Sequence, residues 1–258
     1  MNKMISKKEI KYLASLKQKK FRTINNEYLI EGEKLILDAL KHKQPIKKII
    51  YSKKGQHFDT IRKKSKILKI ELCLSTEKDA QKISDTKNSQ QIFALLKCIQ
   101  LNHLNLVKTD NKKPMIIIDG ISDPGNMGTI LRTCSWFGCY NIILTNNSVE
   151  LYNPKTVRAA MGAHFHLENI YKDSIPNIIS YLEYHQYQIL AADLKGKNIE
   201  NFIPNKKYWA LILGNESNGI SKEFQNISEA IHIPGKEKME SLNVAEAASI
   251  VIHYLSKK

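Results

Sequence analysis

Residues 114–119 read Pro-Met-Ile-Ile-Ile-Asp, an aliphatic run with no alternation. A strand that alternates apolar and polar residues leaves one face to water, whereas a continuous run must be covered on both sides. Runs of the same kind recur at 141–145, 188–192, 208–213 and 230–233, with a further strand at 165–171. Between them lie stretches of helical period: from the Gly/Pro-rich turn at 120–128 through Phe137, then 154–162, 175–185 and 221–227. The last helix carries its apolar residues at 244, 247, 248, 251, 252 and 255, a stripe that needs a core to face. Buried strands alternating with helices predict an α/β fold, a mostly parallel sheet with helices on both faces. In such sheets, ligands sit beyond the carboxyl ends of the strands.

The 258 residues are long for one such sheet and suit two domains. The first hundred residues also alternate, with a basic amphipathic helix over 6–20 whose Ile10, Leu13 and Leu16 face inward. Strands follow at 28–31 and 46–51 and extended stretches at 67–74 and 91–98, separated by helices at 33–41, 58–66 and 77–83: a smaller α/β domain. Charge separates the halves. Residues 1–110 hold 25 Lys and Arg against 11 Asp and Glu, a balance of +14, while residues 111–258 hold 15 against 14. A basic module joined to a neutral one predicts that the first grips a polyanion and the second does something else. The polar, aperiodic residues 100–113 predict a linker, with domains at 1–105 and 106–258.

No apolar run approaches the roughly 18–20 residues of a membrane span, and the N-terminus lacks a signal-peptide core. Cys73, Cys98, Cys134 and Cys139 have neither Cys-x-x-Cys spacing nor a matching His pair, so no metal site is expected. They predict buried thiols in a reducing compartment, and the expected location is the cytoplasm.

Three loops follow strand ends: 119–128, 214–219 and 233–243. The first has only two of the three glycines of a dinucleotide fingerprint, in Gly125-Asn126-Met127-Gly128. The next strand ends in Thr145-Asn146-Asn147, with no acid for a ribose hydroxyl, which argues against NAD; no Gly-Lys-Ser/Thr supports a P-loop. Asn126 is placed either to cap the following helix or to act in a site. Ile130, Cys134 and Phe137 mark the buried face of that helix, so Arg132 points elsewhere, toward the loop edge. Glu216 directly follows a buried strand between Gly214 and Gly219, as a loop salt bridge or a functional carboxylate. Ser241-Leu242-Asn243 stands at the mouth of the last helix, where Asn243 and Glu246 suit a capping pair and the backbone amides suit a small polar ligand.

Taken together and in order, these segments resemble the SpoU-type (TrmH-like) RNA ribose 2′-O-methyltransferases of the SPOUT superfamily. Asn126-Met-Gly-Thr-Ile-Leu-Arg132-Thr is similar to the first signature, Gly214-Asn-Glu-Ser-Asn-Gly-Ile220 to the second, and Ile233-Pro with Ser241-Leu-Asn-Val244-Ala to the third. Leu151-Tyr-Asn-Pro-Lys155 and Ala160-Met-Gly162-Ala also resemble family sequence, and Phe21-Arg22 with Leu29-Ile-Glu-Gly32 resembles the accessory substrate-binding domain, of L30e-like fold. The third segment departs from the usual pattern at Gly235, Glu237 and Glu246.

The resemblance implies a deep trefoil knot in the C-terminal domain, with S-adenosylmethionine held there largely by backbone at Gly214, Ile233 and Leu242. It implies methyl transfer to a ribose 2′-hydroxyl of RNA, ribosomal RNA of the 23S type before tRNA, by an enzyme whose sites form in a homodimer. The resemblance assigns removal of the hydroxyl proton to Arg132; because a guanidinium scarcely deprotonates in proteins, the other reading is that Arg132 binds the target phosphate and hydroxyl and stabilises the developing alkoxide. Asn126, Glu216, Ser241 and Asn243 would orient Arg132, ribose and cofactor loop. The rival in another class is a non-catalytic RNA-binding assembly factor that kept the fold.

Overall fold

Ile92–Lys97, written Ile-Phe-Ala-Leu-Leu-Lys, is buried along all but its last residue and forms an inner strand of the first of two sheets. In the computed structural model, which describes residues 3–99, 101, 104, 113–167, 169–206, 208–236 and 241–257, the chain forms two compact units. The first holds Met1–Ile99 with Tyr152–Phe165, the second Gln100–Leu151 with His166–Lys258.

The first unit runs β1 (Lys3–Met4), α1 (Lys7–Ser15), α2 (Lys19–Asn25), β2 (Glu27–Glu31), α3 (Glu33–Lys41), β3 (Ile46–Tyr51), α4 (Phe58–Ile67), β4 (Glu71–Leu74), α5 (Glu77–Ile83) and β5 (Ile92–Lys97). Its sheet has the order β1-β4-β3-β5-β2, with β5 antiparallel to both neighbours. One cluster packs Ile10, Leu13 and Leu16 against Ile50, Cys73 and Phe93, as the inward stripe of the basic helix predicts. That helix does not extend over 6–20, however. It ends at Ser15, and the guanidinium of Arg22, buried in α2, donates to the carbonyls of Leu16 and Lys17 at 2.7 Å each. A buried cation on C-terminal carbonyls satisfies groups that a longer helix would have paired internally.

The second unit runs β6 (Met115–Ile118), α6 (Pro124–Phe137), β7 (Asn141–Thr145), then, after α7 (Pro154–Ala160) of the first unit, β8 (Asn169–Asp173), α8 (Ile175–Tyr184), β9 (Gln188–Asn198), β10 (Trp209–Leu213), α9 (Lys222–Gln225), β11 (Glu229–His232) and α10 (Val244–Ser256). Its six strands take the order β11-β9-β10-β6-β7-β8, and every pairing is parallel. The central aliphatic runs are accordingly buried: Ile116, Ile117 and Ile118 are inaccessible to solvent, as are Leu211, Ile212 and Leu213, whereas on the edge strand β11 only Ile231 is buried.

Two sequence expectations are corrected here. A single boundary at residue 105 assigns 152–165 to the second domain, but Val157 and Phe165 pack in the first unit's core with Tyr28, Ile36 and Tyr51. For the same reason the strand expected over 165–171 begins only at Asn169, because Ala163–Phe165 is a 3-10 turn inserted into that core. Of the linker expected over 100–113, only Leu101, Leu104 and Lys113 lie within the described residues, and Leu104 is buried in the second core.

Candidate functional site

Beyond the carboxyl end of β6, Asp119 is buried and accepts the amide of Ser221 at 2.7 Å. Asp123 then caps α6, its carboxylate taking the amide of Asn126 at 2.9 Å, with Pro124 at the start of the helix. The cap is therefore Asp123, and the side chain of Asn126 is left for other bonds. Beyond β10, the loop from Gly214 closes on itself through paired backbone bonds between Asn215 and Gly219, 2.9 and 3.0 Å. It is tied to the first loop by Asn215 Nδ2 donating to Gly120 O at 2.7 Å. Gly214 has no room for a side chain: a Cβ there would lie 2.5 Å from the Gly219 carbonyl carbon.

Glu216 is the hub between these loops. Its Oε1 accepts from Asn126 Nδ2 at 2.9 Å and from the Asp123 amide at 3.3 Å, and its Oε2 from the hydroxyl of Ser122 at 3.2 Å. Burial pushes the carboxyl pKa up, but the bond from Asn126 and those from backbone amides outweigh it and hold the group below its ordinary value. Glu216 thus stays ionised and accepts only. Asn126 must present its NH2 to Glu216, which turns its oxygen toward Asn243, whose NH2 donates to it at 3.1 Å. Asn243 in turn keeps its oxygen for the Ala245 amide, 2.8 Å away, and so caps α10. Glu246 makes no return bond among the described residues, so the expected capping pair is half realised. One ionised carboxylate thereby orders two amides across three loops.

The loops after β10 and β11, with the ends of those strands, β9 and the start of α10, wall a cavity of about 430 Å³, within the range of pockets that enclose small ligands. Gly214, Ile233 and Leu242 line it, as do Glu216, Ser241 and Asn243. Asn126 is bonded at its rim through Glu216 and Asn243. Arg132 does not line it. It is exposed on α6, about one and two-thirds turns beyond Asn126, and makes no hydrogen bond or ion pair among the described residues. Glu237 lies outside the described residues. The wall also includes Asp193 and His232, which sequence reasoning missed. His232 lies one residue before the Ile-Pro segment, and its Nδ1 sits 2.7 Å from Gly196 O.

The open cavity suits S-adenosylmethionine on this structure's own terms. It mixes aliphatic walls with exposed backbone, and at Gly214 the missing side chain lets main chain approach main chain. No lysine or arginine lines it among the described residues, which suits a ligand carrying positive charge.

Comparison with known proteins gives concordant results. The model of the SpoU rRNA Methylase family matches residues 113–253, and that of the MRM3-like substrate binding domain matches residues 7–94. The 23S rRNA (guanosine(2553)-2′-O)-methyltransferase RlmP of Bacillus subtilis (strain 168) is 30% identical over 96% of this chain and 95% of its own length. The mitochondrial rRNA methyltransferase 3 of Mus musculus is 26% identical over 92% of this chain and 69% of its own. The crystal structure of an AdoMet-bound rRNA methyltransferase from Sinorhizobium meliloti superposes with a TM-score of 0.86 at 25% identity, covering 98% of this chain and 95% of that one.

Proposed function

The chain belongs to the SpoU rRNA methylase family, and from that footing we propose that it methylates a ribose 2′-hydroxyl of 23S-type ribosomal RNA, with S-adenosylmethionine as donor. The observation that carries this reading is the ordered chain Glu216–Asn126–Asn243 at the rim of the cavity. When bound, S-adenosylmethionine supplies a methyl group activated by positively charged sulfur.

A ribose hydroxyl is a weak nucleophile, so the protein has to hold it in line with the methyl carbon and stabilise negative charge as its proton leaves. Guanidinium keeps its protons in proteins. Arg132 therefore acts as a charge stabiliser, binding the target phosphate and the developing alkoxide. Asn126, Glu216, Ser241 and Asn243 set the positions of the ribose and of the cofactor loop, and backbone at Gly214, Ile233 and Leu242 holds the donor. The balance of +14 in residues 1–110, together with the substrate-binding match over 7–94, supports RNA binding by the first unit.

The same reading includes a homodimer, a deep trefoil knot in the C-terminal unit, and action in the cytoplasm. For the dimer the support is α6, where Trp136 is 83% exposed one turn beyond Arg132, beside α10, where Ile250 is 41% exposed. A second copy covering that face would bury the indole and enclose Arg132. Among the described residues no helix is long and apolar enough to cross a membrane.

Arg132→Ala is expected to slow single-turnover methyl transfer by roughly a hundredfold or more, with donor affinity unchanged. A near-normal rate would reject the role given to Arg132. Mapping 2′-O-methyl positions in total RNA with and without the gene identifies the target; a lost methyl in tRNA alone would replace ribosomal RNA as the substrate.

A further inference from the structure

Strand β9 contains an excursion that its sequence does not advertise. Ala191 lies opposite Ala230 on β11, yet the next β11 residue, Ile231, lies opposite Lys197. The pairing with β10 likewise stops at Ala191. Residues 192–196 are thus free of the ladder on both sides, where an ordinary bulge adds one residue. The excursion is pinned where it rejoins. Gly196 passes so close to β11 that a Cβ would lie 2.3 Å from the Ala230 carbonyl carbon, and its own carbonyl meets the ring of His232 at 2.7 Å.

At the cavity end, Ala192, Asp193 and Leu194 form part of the wall. Asp193 is half-buried, and its Oδ1 accepts the amide of Lys195 at 3.0 Å, closing a side-chain turn. Its other oxygen has no partner among the described residues. The second carboxylate on the wall, Glu216, is different: both of its oxygens are occupied by the loops it joins. Among the described residues Asp193 is therefore the wall's open anionic acceptor, and it stands on β9, one strand away from the β10 loop that carries Glu216.

We propose that Asp193 is the residue that recognises the ribose hydroxyls of the nucleoside methyl donor. Vicinal hydroxyls are paired donors, and a carboxylate at a strand end is the group that nucleoside-binding α/β sheets use to accept them. The strand after the first loop, ending in Thr145-Asn146-Asn147, has no acid for this task. The excursion of β9 delivers one from another strand. The assignment rests on the methyl-transfer reading and adds to it the part of the site that holds the sugar of the donor, on the wall formed by β9 and β11.

Asp193→Asn separates this role from the local turn. The amide oxygen of Asn still accepts from the Lys195 amide, while the open acceptor becomes a donor. Calorimetry of the full-length protein with S-adenosylmethionine, S-adenosylhomocysteine and the 2′,3′-dideoxy analogue of the latter supplies the test. Asp193→Asn should weaken S-adenosylmethionine and S-adenosylhomocysteine alike, by about ten- to a hundredfold, as expected for lost hydrogen bonds to a charged group. It should leave the weak binding of the dideoxy analogue and the melting temperature unchanged. Wild-type affinity in the variant would overturn the assignment, since the turn would then be the whole role of Asp193. A loss confined to S-adenosylmethionine would also overturn it, by showing a counter-charge to sulfur. Wild-type protein that binds neither nucleoside would bring down the methyl-transfer reading itself, and this assignment with it.

Discussion

The side-chain amide of Asn126 has one orientation that satisfies both of its neighbours, because the carboxylate of Glu216 can only accept. Gly214 is equally constrained, by space. Gly214→Ala would press a methyl group against the Gly219 carbonyl carbon at 2.5 Å and the Ile220 amide nitrogen at 2.6 Å, both backbone atoms that cannot swing away. The expected outcome is a loss of about 1–3 kcal/mol in stability and a larger loss in donor affinity. Denaturant melts and calorimetry would measure the two, and unchanged donor affinity would show that the loop tolerates displacement. Asn126, Glu216 and Asn243 were legible in the sequence because each sits in a loop bounded by a buried strand or a helix start. Asp193 was not, because Gln188–Asn198 reads locally as strand running into polar residues, and only the pairing with β11 reveals the five residues that leave the sheet.

Four elements of the first unit are joined by alternating charges: Lys3 on β1, Glu71 on β4, Lys48 on β3 and Glu9 on α1. Lys48 donating to Glu9, with the amide and hydroxyl of Ser6, pulls the Glu9 carboxyl down to about 2. A carboxyl depressed on folding stabilises the native state above its unfolded value, near 4.5 here, and that contribution is lost as the pH falls toward 2. Glu9→Gln keeps a side chain able to close the cap at Ser6 but cannot titrate. Its melting temperature should therefore fall less between about pH 5 and pH 3 than that of the wild type. Parallel pH curves would show that the network contributes nothing through Glu9. Element identity followed from local pattern where burial was uniform, as at Asn141–Thr145, whose bounds match the aliphatic run. It failed where a distant partner decided the outcome. Arg22 ends α1 from six residues beyond Leu16, and Phe165 is withdrawn from a strand by the core around Tyr28 and Tyr51.

The asymmetry in charge belongs to the molecule as a whole. On α4 and just beyond it, Lys63, Lys64, Lys66 and Lys69 are exposed, and none of their ammonium groups meets a carboxylate among the described residues. Replacing all four by Gln should weaken binding of ribosomal RNA and lower the slope of log affinity against log salt by about one for each lysine that touches a phosphate. An unchanged slope would move the RNA contact to another face of the first unit. The division into a basic part and a neutral part was visible in composition alone. The return of Tyr152–Phe165 to the first unit was not, because its evidence is tertiary: the ring of Tyr152 lies 4.4 Å from that of Tyr28, and Val157 sits among Ile30's neighbours on the same core. This return has a consequence for biosynthesis. A ribosome making this protein releases the first ninety-nine residues well before the segment that completes their core, so the nascent amino-terminal half must wait, incompletely sealed, until more than fifty further residues have been translated.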